Sequence, residues 1–388
     1  MNILVLGVGL QGQAAVVELA DSPEVEGVVA ADADGEGLAR FLNELGAEKV
    51  RGVTVDAADE DKVGALMEDV DAVMHLLPPG FREGMARLAV AHGCHFVDAS
   101  YALPAYQELH EAAVAAGVAI LPELGLDPGI DLVLMGEAAR ELDTVRRFVS
   151  YGAGIPEPAA ADNVLRYKIS WSFAGVLRSY HRPATVVGEG RALTVPAGEI
   201  FAPEHGHMVA VAGLGELEAF PNGDVRPFLE RLGIEREVRE AGRYTLRWPG
   251  HSAFWYRLAR LGFLGEEPVT VGGQEVIPQQ FLHDLLAPRL EYGPDERDVA
   301  YVAVEAEGVR AGRPHRVRYQ VLDFRDLKTG LLAMQRTVGF TAGIGAQMLL
   351  RGEIPGKGLL SPLTDVPAGP LFAALRRRGI RIERDANG

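Results

Sequence analysis

The sequence has little of what a secreted or membrane protein needs. It contains one cysteine, Cys94, so no internal disulfide can form, which is usual in a reducing cytosol. The sequence also has no run of about 18 apolar residues, the length that a membrane-spanning helix needs. The apolar start also lacks the basic flank of a secretory signal. We therefore expect a cytoplasmic protein with no membrane partner.

An excess of basic charge is also missing. The 388 residues include 38 Lys and Arg against 54 Asp and Glu, which gives a formal net charge of −16. Such a chain repels the phosphate backbone of nucleic acids, so we expect no nucleic-acid partner. Hydrophobic residues make up 48% of the sequence, which is enough for the cores of two domains.

The first twelve residues join an apolar strand to a glycine-rich turn. Gly7, Gly9 and Gly12 form G-x-G-x-x-G, with Leu10 and Gln11 between the last two. The first glycine permits a tight turn, the second lets the backbone approach a pyrophosphate, and the third lets helix and strand pack closely. We predict that these five residues bind a dinucleotide. The alternative is an ordinary strand-to-helix turn.

The acidic residue expected after this motif is Asp32. It ends a second apolar run, about 20 residues after the glycines, where a carboxylate accepts hydrogen bonds from the ribose hydroxyls. A carboxylate there repels a 2′-phosphate, and no arginine follows it at once. The sequence therefore favours NAD, with NADP left open. The alternative role for Asp32 is to cap the next helix.

Apolar runs alternate with helical patterns through the first third of the chain, which predicts a doubly wound parallel Rossmann sheet. The predicted strands are 2–6, 25–31, 50–55, 72–77, 95–99 and 118–122. Short alternating runs then predict a second α+β domain on a largely antiparallel or mixed sheet. The predicted divisions are a dinucleotide-binding domain (1–122), a substrate-binding and dimerisation domain (123–335), and C-terminal helices that pack back on the first domain (336–388).

Three loops after these strands are expected to face the ligand, because ligands of such sheets bind at the carboxyl ends of the strands. Asp56 and Ala57 are placed at the adenine, Leu77 and Pro78 near the nicotinamide ribose, and Tyr101 at the reacting end. For each loop the alternative is a capped helix start or a plain turn.

The middle of the chain carries more specific segments. These are Gly125 to Asp131 (G-L-D-P-G-I-D), Tyr151 to Pro156, Asp162 to Ser172 (D-N-V-L-R-Y-K-I-S-W-S), Ala219 to Asn222 and Thr245 to Trp248. With them the chain resembles the saccharopine dehydrogenase family over nearly its whole length. The resemblance implies a two-domain enzyme, often a homodimer, that oxidises a C–N bond of an amino-acid-derived amine or reduces the imine with NAD or NADP.

The resemblance implies saccharopine as the first choice of substrate. Two alternative activities are those of lysine 6-dehydrogenase and of a carboxynorspermidine-type polyamine dehydrogenase. Two departures matter. Asp32 stands where family reductases that use NADP tend to carry arginine, and Gly223 stands where saccharopine reductases carry the arginine of N-R-D. A hypothesis of another class is a nucleotide-binding sensor that catalyses no reaction.

A carboxylate substrate calls for arginine, whose guanidinium offers two parallel donors. Arg247, on a predicted strand, is the first candidate, followed by Arg226 and Arg178. Asn163 and Ser172, from the resembling segment, are assigned to the same substrate. A solvated surface position is the alternative for each arginine.

Proton transfer needs a base near the nicotinamide. Asp127 is the first candidate, since partial burial there would raise its pKa; Lys168 and Tyr101 are the others. The alternatives are that Asp127 caps a helix starting at Pro128 and that Lys168 is a surface ammonium. His205 and His207 lack a third ligand at metal spacing, so no metal is expected.

Overall fold

The computed structural model describes residues 1–387. The strands are β1 (Asn2–Leu6), β2 (Gly27–Asp32), β3 (Val50–Thr54), β4 (Ala72–His75), β5 (His95–Asp98), β6 (Ala119–Leu121), β7 (Thr144–Pro156), β8 (Ala184–Gly188), β9 (Arg191–Val195), β10 (His207–Val211), β11 (Gly215–Pro221), β12 (Glu240–Arg247), β13 (Val269–Val271), β14 (Gln274–Val276), β15 (Asp298–Arg310), β16 (Arg313–Phe324), β17 (Gly358–Leu359) and β18 (Ile382–Asn387).

The helices alternate with these strands in the first third of the chain and are interspersed among them afterwards. They are α1 (Leu10–Asp21), α2 (Gly35–Leu45), α3 (Glu60–Met67), α4 (Arg82–Ala91), α5 (Pro104–Glu108), α6 (His110–Ala116), α7 (Ile130–Arg140), α8 (Phe173–Tyr180), α9 (Arg226–Leu232), α10 (His251–Arg260), α11 (Pro278–Leu286), α12 (Ala333–Leu350) and α13 (Ala368–Arg377).

The chain divides into two compact units. The first contains residues 1–134 and 335–381, and the second contains residues 135–334 together with β18. This division differs from the sequence-based one in two places. The first unit extends past residue 122 into α7, and the strand after α13 belongs to the second unit instead of the first.

The first unit is built on a seven-stranded sheet in the order β17-β6-β5-β4-β1-β2-β3, with every neighbouring pair parallel. All six predicted strands are present, with ends shifted by two residues or fewer. The order reverses between β1 and β4, so the carboxyl ends of these strands form the ligand-binding edge. The doubly wound fold is confirmed.

Close helix packing in this unit depends on glycine. A side-chain carbon added to Gly339 of α12 would lie 2.5 Å from the carbonyl oxygen of Gln11 and 2.7 Å from the amide nitrogen of Ala15. Both contacts are too short for any other residue, so α12 can lie against α1 only with glycine there. The C-terminal helices thus pack on the first helix of the nucleotide-binding motif, within the same unit.

The second unit is built on a larger mixed sheet with the order β10-β11-β12-β7-β15-β16-β18, to which β8 and β9 add beside β12. Neighbouring strands of this sheet are antiparallel, except that β12 and β7 are parallel to each other. The predicted mixed sheet is confirmed. Beside it lies an aromatic core formed by Tyr167, Phe173, Tyr180, Phe201, Phe220 and Trp255, with Leu and Ile side chains around them.

Within residues 1–387, no helix combines the length and the apolar character needed to cross a bilayer.

Candidate functional site

The glycine-rich turn has the geometry of a phosphate cradle. Gly7 has φ +88°, and a side-chain carbon there would lie 2.7 Å from the carbonyl oxygen of Leu76. A carbon added to Gly9 would meet no atom within 4 Å, so the space over that backbone is open. Gly9 is also the N-cap of α1, whose first turn carries no acidic side chain. A diphosphate fits this turn, held by backbone amides at a helix N-terminus.

Asp32 organises the turn beside the glycines. Its Oδ2 accepts a hydrogen bond from the amide of Val8 at 2.7 Å, and its Oδ1 accepts one from the amide of Asp34 at 2.9 Å. The N-cap of α2 is Asp34, whose side chain accepts from the amide of Gly37, so Asp32 does not cap that helix. Each carboxylate oxygen keeps one lone pair for a ligand.

The other two predicted cofactor loops also lie at strand ends. Asp56 accepts a hydrogen bond from the amide of Ala58 at 2.9 Å, and Ala57 is buried. Leu77 packs against the core, and Pro78 accepts from the amide of Phe81 in a short 3-10 turn. A cleft of about 620 Å³ lies after β3, lined by Asp56, Ala58, Asp59, Glu60 and Asp61. Its carboxylates favour hydroxyl and amino donors over phosphate.

Tyr101 and Asp127 meet in the first unit. The hydroxyl of Tyr101 donates to Oδ1 of Asp127 at 3.1 Å, and both side chains are half-buried. Tyr101 follows β5 and Asp127 follows β6, so both lie after neighbouring strands of the parallel sheet. The next helix begins at Ile130, so Asp127 lies in the loop before it.

Three further side chains hold the loop that carries Tyr101. Nη1 of Arg82 donates to the carbonyl oxygen of Tyr101 at 2.9 Å. Buried Asp98 accepts from the amide of Ser100 at 2.8 Å, and Glu123 accepts from the amide of Ala102 at 3.3 Å. The Tyr101 hydroxyl therefore belongs to a loop with little conformational freedom.

Arg247 is buried in the second unit, with 4% of its surface exposed. Its Nε donates to the hydroxyl of Tyr180 at 3.3 Å, its Nη1 donates to the carbonyl oxygen of Leu246 at 2.9 Å, and its guanidinium lies 5.3 Å from the ring centre of Tyr167. The predicted surface alternative is wrong for this residue, since strand β12 turns its side chain into the aromatic core.

Lys168 is buried and forms ion pairs with two carboxylates. Its Nζ donates to Oε1 of Glu296 at 2.5 Å and lies 3.0 Å from Oδ1 of Asp162. Burial lowers the pKa of this ammonium, but the two carboxylates outweigh burial and raise the pKa above its ordinary value. A base needs the opposite shift of pKa, so the contacts of Lys168 are those of an ion-pair centre and not of a base.

Three of the four remaining predicted substrate residues have local partners. Arg226 is half exposed and pairs with Asp224, and Arg178 is exposed. Asn163 accepts hydrogen bonds from the amides of its own turn, and Ser172 caps α8 by accepting from the amide of Gly175. These contacts explain Arg226, Asn163 and Ser172 without a ligand.

His207 contacts aromatic residues and no metal ligand. Its Nε2 lies 3.2 Å from the hydroxyl of Tyr151. Across residues 1–387, no three His, Cys, Asp or Glu side chains are grouped to hold a metal ion.

Comparison with known proteins adds the family. The family model described as "Saccharopine dehydrogenase NADP binding domain" matches residues 3–121. The model described as "Saccharopine dehydrogenase C-terminal domain" matches residues 125–380. The chain belongs to the saccharopine dehydrogenase family. This confirms the resemblance found from the motifs.

Named relatives fall into two length classes. The mitochondrial alpha-aminoadipic semialdehyde synthase of Bos taurus is 29% identical over 98% of this chain but only 47% of its own length. The saccharopine dehydrogenase (NADP(+), L-glutamate-forming) of Schizosaccharomyces pombe is 25% identical over 99% of this chain and 98% of its own length. The chain thus spans less than half of the first relative and nearly all of the second.

A solved structure shows the same fold. The apo saccharopine dehydrogenase (L-Glu forming) from Saccharomyces cerevisiae superposes with a TM-score of 0.85 at 24% identity, and the match covers the whole of both chains. At this identity the likeness shows the fold and leaves the substrate to be argued from the residues.

The family bears on the cofactor. Its first domain is described as binding NADP, and the S. pombe relative is named for NADP(+). These findings support a nicotinamide cofactor and favour NADP; they do not support the choice of NAD made from Asp32.

Several residues of the site were not found from the sequence. Tyr180, which accepts a hydrogen bond from Arg247, also contacts His251 and Trp255, and Glu296 pairs with Lys168. Partners such as Lys168 and Glu296 are separated by 128 positions. Local pattern cannot reveal such contacts. For His251 alone there was a local signal, because it follows the predicted substrate residue Arg247 closely in the sequence.

Proposed function

We propose that this chain is an NADP-dependent oxidoreductase of the saccharopine dehydrogenase type. It transfers a hydride between the nicotinamide and the C–N bond of an amino-acid-derived amine or imine, with saccharopine as the first substrate. The observation that carries the proposal is the pair formed by Tyr101 and Asp127 after adjacent strands of the nucleotide-binding unit.

The pair supplies proton transfer. In the direction of amine oxidation, Asp127 takes a proton from the substrate ammonium, because only the neutral amine releases hydride. Tyr101 keeps the accepting carboxylate in one orientation through its hydrogen bond. The nicotinamide, when bound, accepts the hydride from the carbon that bears nitrogen. Water adds to the resulting iminium and releases a proton to solvent. Asp127, then a carboxylic acid, donates its proton to the carbinolamine nitrogen, which leaves as the amine while the hydroxyl loses its proton and becomes the carbonyl.

Other residues bind and orient. The backbone of Gly7 to Gly12 and the N-terminus of α1 hold the pyrophosphate. Arg247 is assigned to a substrate carboxylate, since guanidinium pairs with carboxylate through two parallel hydrogen bonds. Arg226, Asn163, Ser172 and Lys168 have local partners and receive no substrate role. Arg178 is exposed and receives none either.

The test is the kinetics of two shape-preserving variants. In Asp127→Asn we expect kcat to fall by about 100-fold or more, the usual size of general acid–base catalysis. In Tyr101→Phe we expect a smaller loss, about 10-fold, because only one hydrogen bond to the carboxylate is removed. The dissociation constant of NADPH, measured by fluorescence, should stay unchanged in both. A wild-type kcat in Asp127→Asn would exclude this residue as the base.

Substrate screening separates the related activities. NADP⁺ or NAD⁺ reduction is measured with saccharopine, with lysine and with carboxynorspermidine in turn. Turnover of lysine alone would favour lysine 6-dehydrogenation, and turnover of carboxynorspermidine alone would favour polyamine metabolism. NADPH binding with no turnover of any substrate would favour the non-catalytic sensor.

The quaternary structure and location are part of the same proposal. A homodimer in the cytoplasm is what the resemblance and the single cysteine suggest. Light scattering on the purified chain would give twice the mass of one chain if the dimer forms.

A further inference from the structure

Glu123 has a backbone conformation that is unfavourable for any residue with a side chain. Its φ is +63°, in the left-handed region that only glycine adopts freely. Glu189 and Ala311 share this region, but each precedes a glycine in a two-residue hairpin turn, which requires positive φ at both positions. Glu123 lies between β6 and α7, outside any hairpin, and is followed by Leu124. Such strain persists only where surrounding contacts fix it, so the contacts of Glu123 must explain it.

The left-handed residue turns the chain back along the loop that carries Tyr101. The amide of Glu123 donates to the carbonyl oxygen of Ser100 at 2.9 Å, and the amide of Leu124 donates to that of Asp98 at 3.0 Å. In a parallel pair that continued, the later residue would bind the later partner, and here the order is reversed. The conformation of Glu123 therefore fastens the chain after β6 to the loop after β5.

The side chain of Glu123 extends past Tyr101 to the residue that follows it. Oε1 accepts a hydrogen bond from the amide of Ala102 at 3.3 Å, and only 9% of Glu123 is exposed. One residue thus binds the positions immediately before and after Tyr101, through its backbone and its side chain. Nη1 of Arg82 binds the carbonyl oxygen of Tyr101 itself at 2.9 Å. A carboxylate that accepts from a backbone amide forms one of the stronger hydrogen bonds in proteins.

We propose that Glu123 is a positioning residue for Tyr101. It fixes the loop so that the phenol hydroxyl lies 3.1 Å from Oδ1 of Asp127, the pair to which proton transfer is assigned. In this role the Glu123 carboxylate moves no proton. The strain at residue 123 is tolerated because the reversed chain places the carboxylate beside Ala102. The effect on turnover rests on the proposed function, whereas the contact with the loop does not.

Three substitutions of Glu123 separate its side chain from its backbone. Glu123→Gln keeps an oxygen acceptor, Glu123→Ala removes it, and Glu123→Gly removes it and also relieves the left-handed strain. In the full chain with saccharopine and NADP⁺, kcat should fall only about 3-fold in Glu123→Gln but about 10-fold in the other two, with the KM for NADP⁺ unchanged. The Tm should be higher in Glu123→Gly than in Glu123→Ala.

Two results of this series would overturn the proposal. If kcat recovers in Glu123→Gly together with the Tm, backbone strain and not the contact with Ala102 sets the activity. If Glu123→Gln loses as much activity as Glu123→Ala, the charge acts directly on the reaction. Glu108→Ala, which removes an exposed carboxylate from α5, is the matched control and should change neither kcat nor Tm.

A double-variant cycle shows whether Glu123 acts through the phenol of Tyr101. If Glu123 only positions that hydroxyl, Glu123→Ala should lower kcat about 10-fold in the wild type and hardly at all in Tyr101→Phe. A purely structural role would lower kcat by the same factor in both backgrounds. Equal losses would therefore overturn the proposal.

Amide exchange gives a readout that needs no turnover. Hydrogen–deuterium exchange of the ligand-free chain is followed by mass spectrometry in peptides that contain Ala102. This amide loses its acceptor in Glu123→Ala and should exchange about 10-fold faster there, but not in Glu123→Gln. Unchanged exchange with wild-type kcat in Glu123→Ala would remove this inference and leave the proposed function. Faster exchange in Glu123→Ala, with no turnover of any amine by the wild type, would remove the function and leave the contact.

Discussion

Asp32, the last residue of β2, affects the choice between NAD and NADP through its charge and through its hydrogen bonds to the backbone. Its oxygens accept from the amides of Val8 and Asp34, yet its negative charge remains at the end of β2. A 2′-phosphate near that charge would be repelled. The NADP that we propose as cofactor would therefore have to bind beside this carboxylate.

Asp32→Asn is expected to shift the coenzyme preference toward NADP⁺. The amide keeps an oxygen for one backbone donor and removes the charge that repels the phosphate. The ratio of kcat/KM for NADP⁺ to that for NAD⁺ should rise about 10-fold, within the usual range of an effect of a single nearby charge. Glu36→Gln, which removes a charge in the first turn of α2, serves as control. An unaltered ratio would mean that Asp32 only organises the turn.

His95 gives a pH-dependent contribution to stability. Burial, assisted by the charge of Lys357, lowers its pKa to about 4, and its Nδ1 accepts a hydrogen bond from the amide of Ala119 at 3.2 Å. The folded state therefore favours the neutral imidazole. Stability from this residue is present above about pH 6.5 and is lost as the pH falls toward 4, because the unfolded chain binds the proton first.

The check is urea unfolding from pH 7 down to pH 4. His95→Gln keeps an acceptor for the Ala119 amide and cannot titrate in this range. We expect its free energy of unfolding to fall less steeply with acid than that of the wild type. Parallel curves would contradict the assignment.

At the residue scale, the sequence predicted the pair of Tyr101 and Asp127 only as separate candidates. Their positions after adjacent strands followed from the alternating pattern, but the hydrogen bond between them did not. Lys168 shows the limit, since its surroundings depend on Glu296, far along the chain. Burial and pairing of charged groups arise from tertiary contacts that no local spacing encodes.

Strands with a clear apolar run were predictable from the sequence, and the strands β17 and β18 were not. The parallel strands β1 to β6 and the long strands β15 and β16 follow from apolar runs bounded by turn residues. Strand β17 has two residues in a Pro/Gly-rich stretch, and it forms because Gly358 and Leu359 pair with β6. Strand β18 is mostly polar and pairs with β16. Pairing in space, not side-chain pattern, creates both.

Helices α1 and α13 are joined by a buried charge pair. Glu18, 3% exposed, accepts two hydrogen bonds from Arg378 and one from Gln347 at 3.2 Å. Burial raises the pKa of Glu18, with Arg378 opposing that effect. The carboxylate stays tolerable in the core mainly because the guanidinium is there.

Arg378→Met should therefore destabilise the protein by about 3 kcal/mol, the lower end of the cost of breaking a buried ion pair. The double variant Glu18→Gln with Arg378→Met removes the stranded charge and should recover part of the loss. Both are measured by urea unfolding at pH 7. Additive losses in the double variant would show that the two residues do not act as a pair.

At the scale of the whole molecule, neither unit is a continuous piece of chain. The first unit draws on residues 1–134 and 335–381, so the polypeptide passes between units after Leu134, Met334 and Arg381. Strand β17 and the helices α12 and α13, which complete the first unit, come from its second segment. The nucleotide-binding unit therefore depends on residues far along the chain.

A fragment of residues 1–134 should not fold or bind NADPH, because Glu18 and the face of α1 would lose their cover. Joining residues 1–134 to 335–381 through a flexible glycine-serine linker should restore both properties. Circular dichroism and NADPH fluorescence measure the outcome. Tight NADPH binding by the short fragment would show that the second segment is dispensable.

The polar strand β18 lies at the rim of the second sheet and covers β16. Its Glu383 accepts from Gln320 at 2.7 Å, and Arg384 pairs with Glu141. Removing residues 382–387 would bare a row of unpaired amides and carbonyls along β16, a template on which another copy could grow as a cross-strand partner. This short charged strand is thus a guard against aggregation as well as a part of the fold.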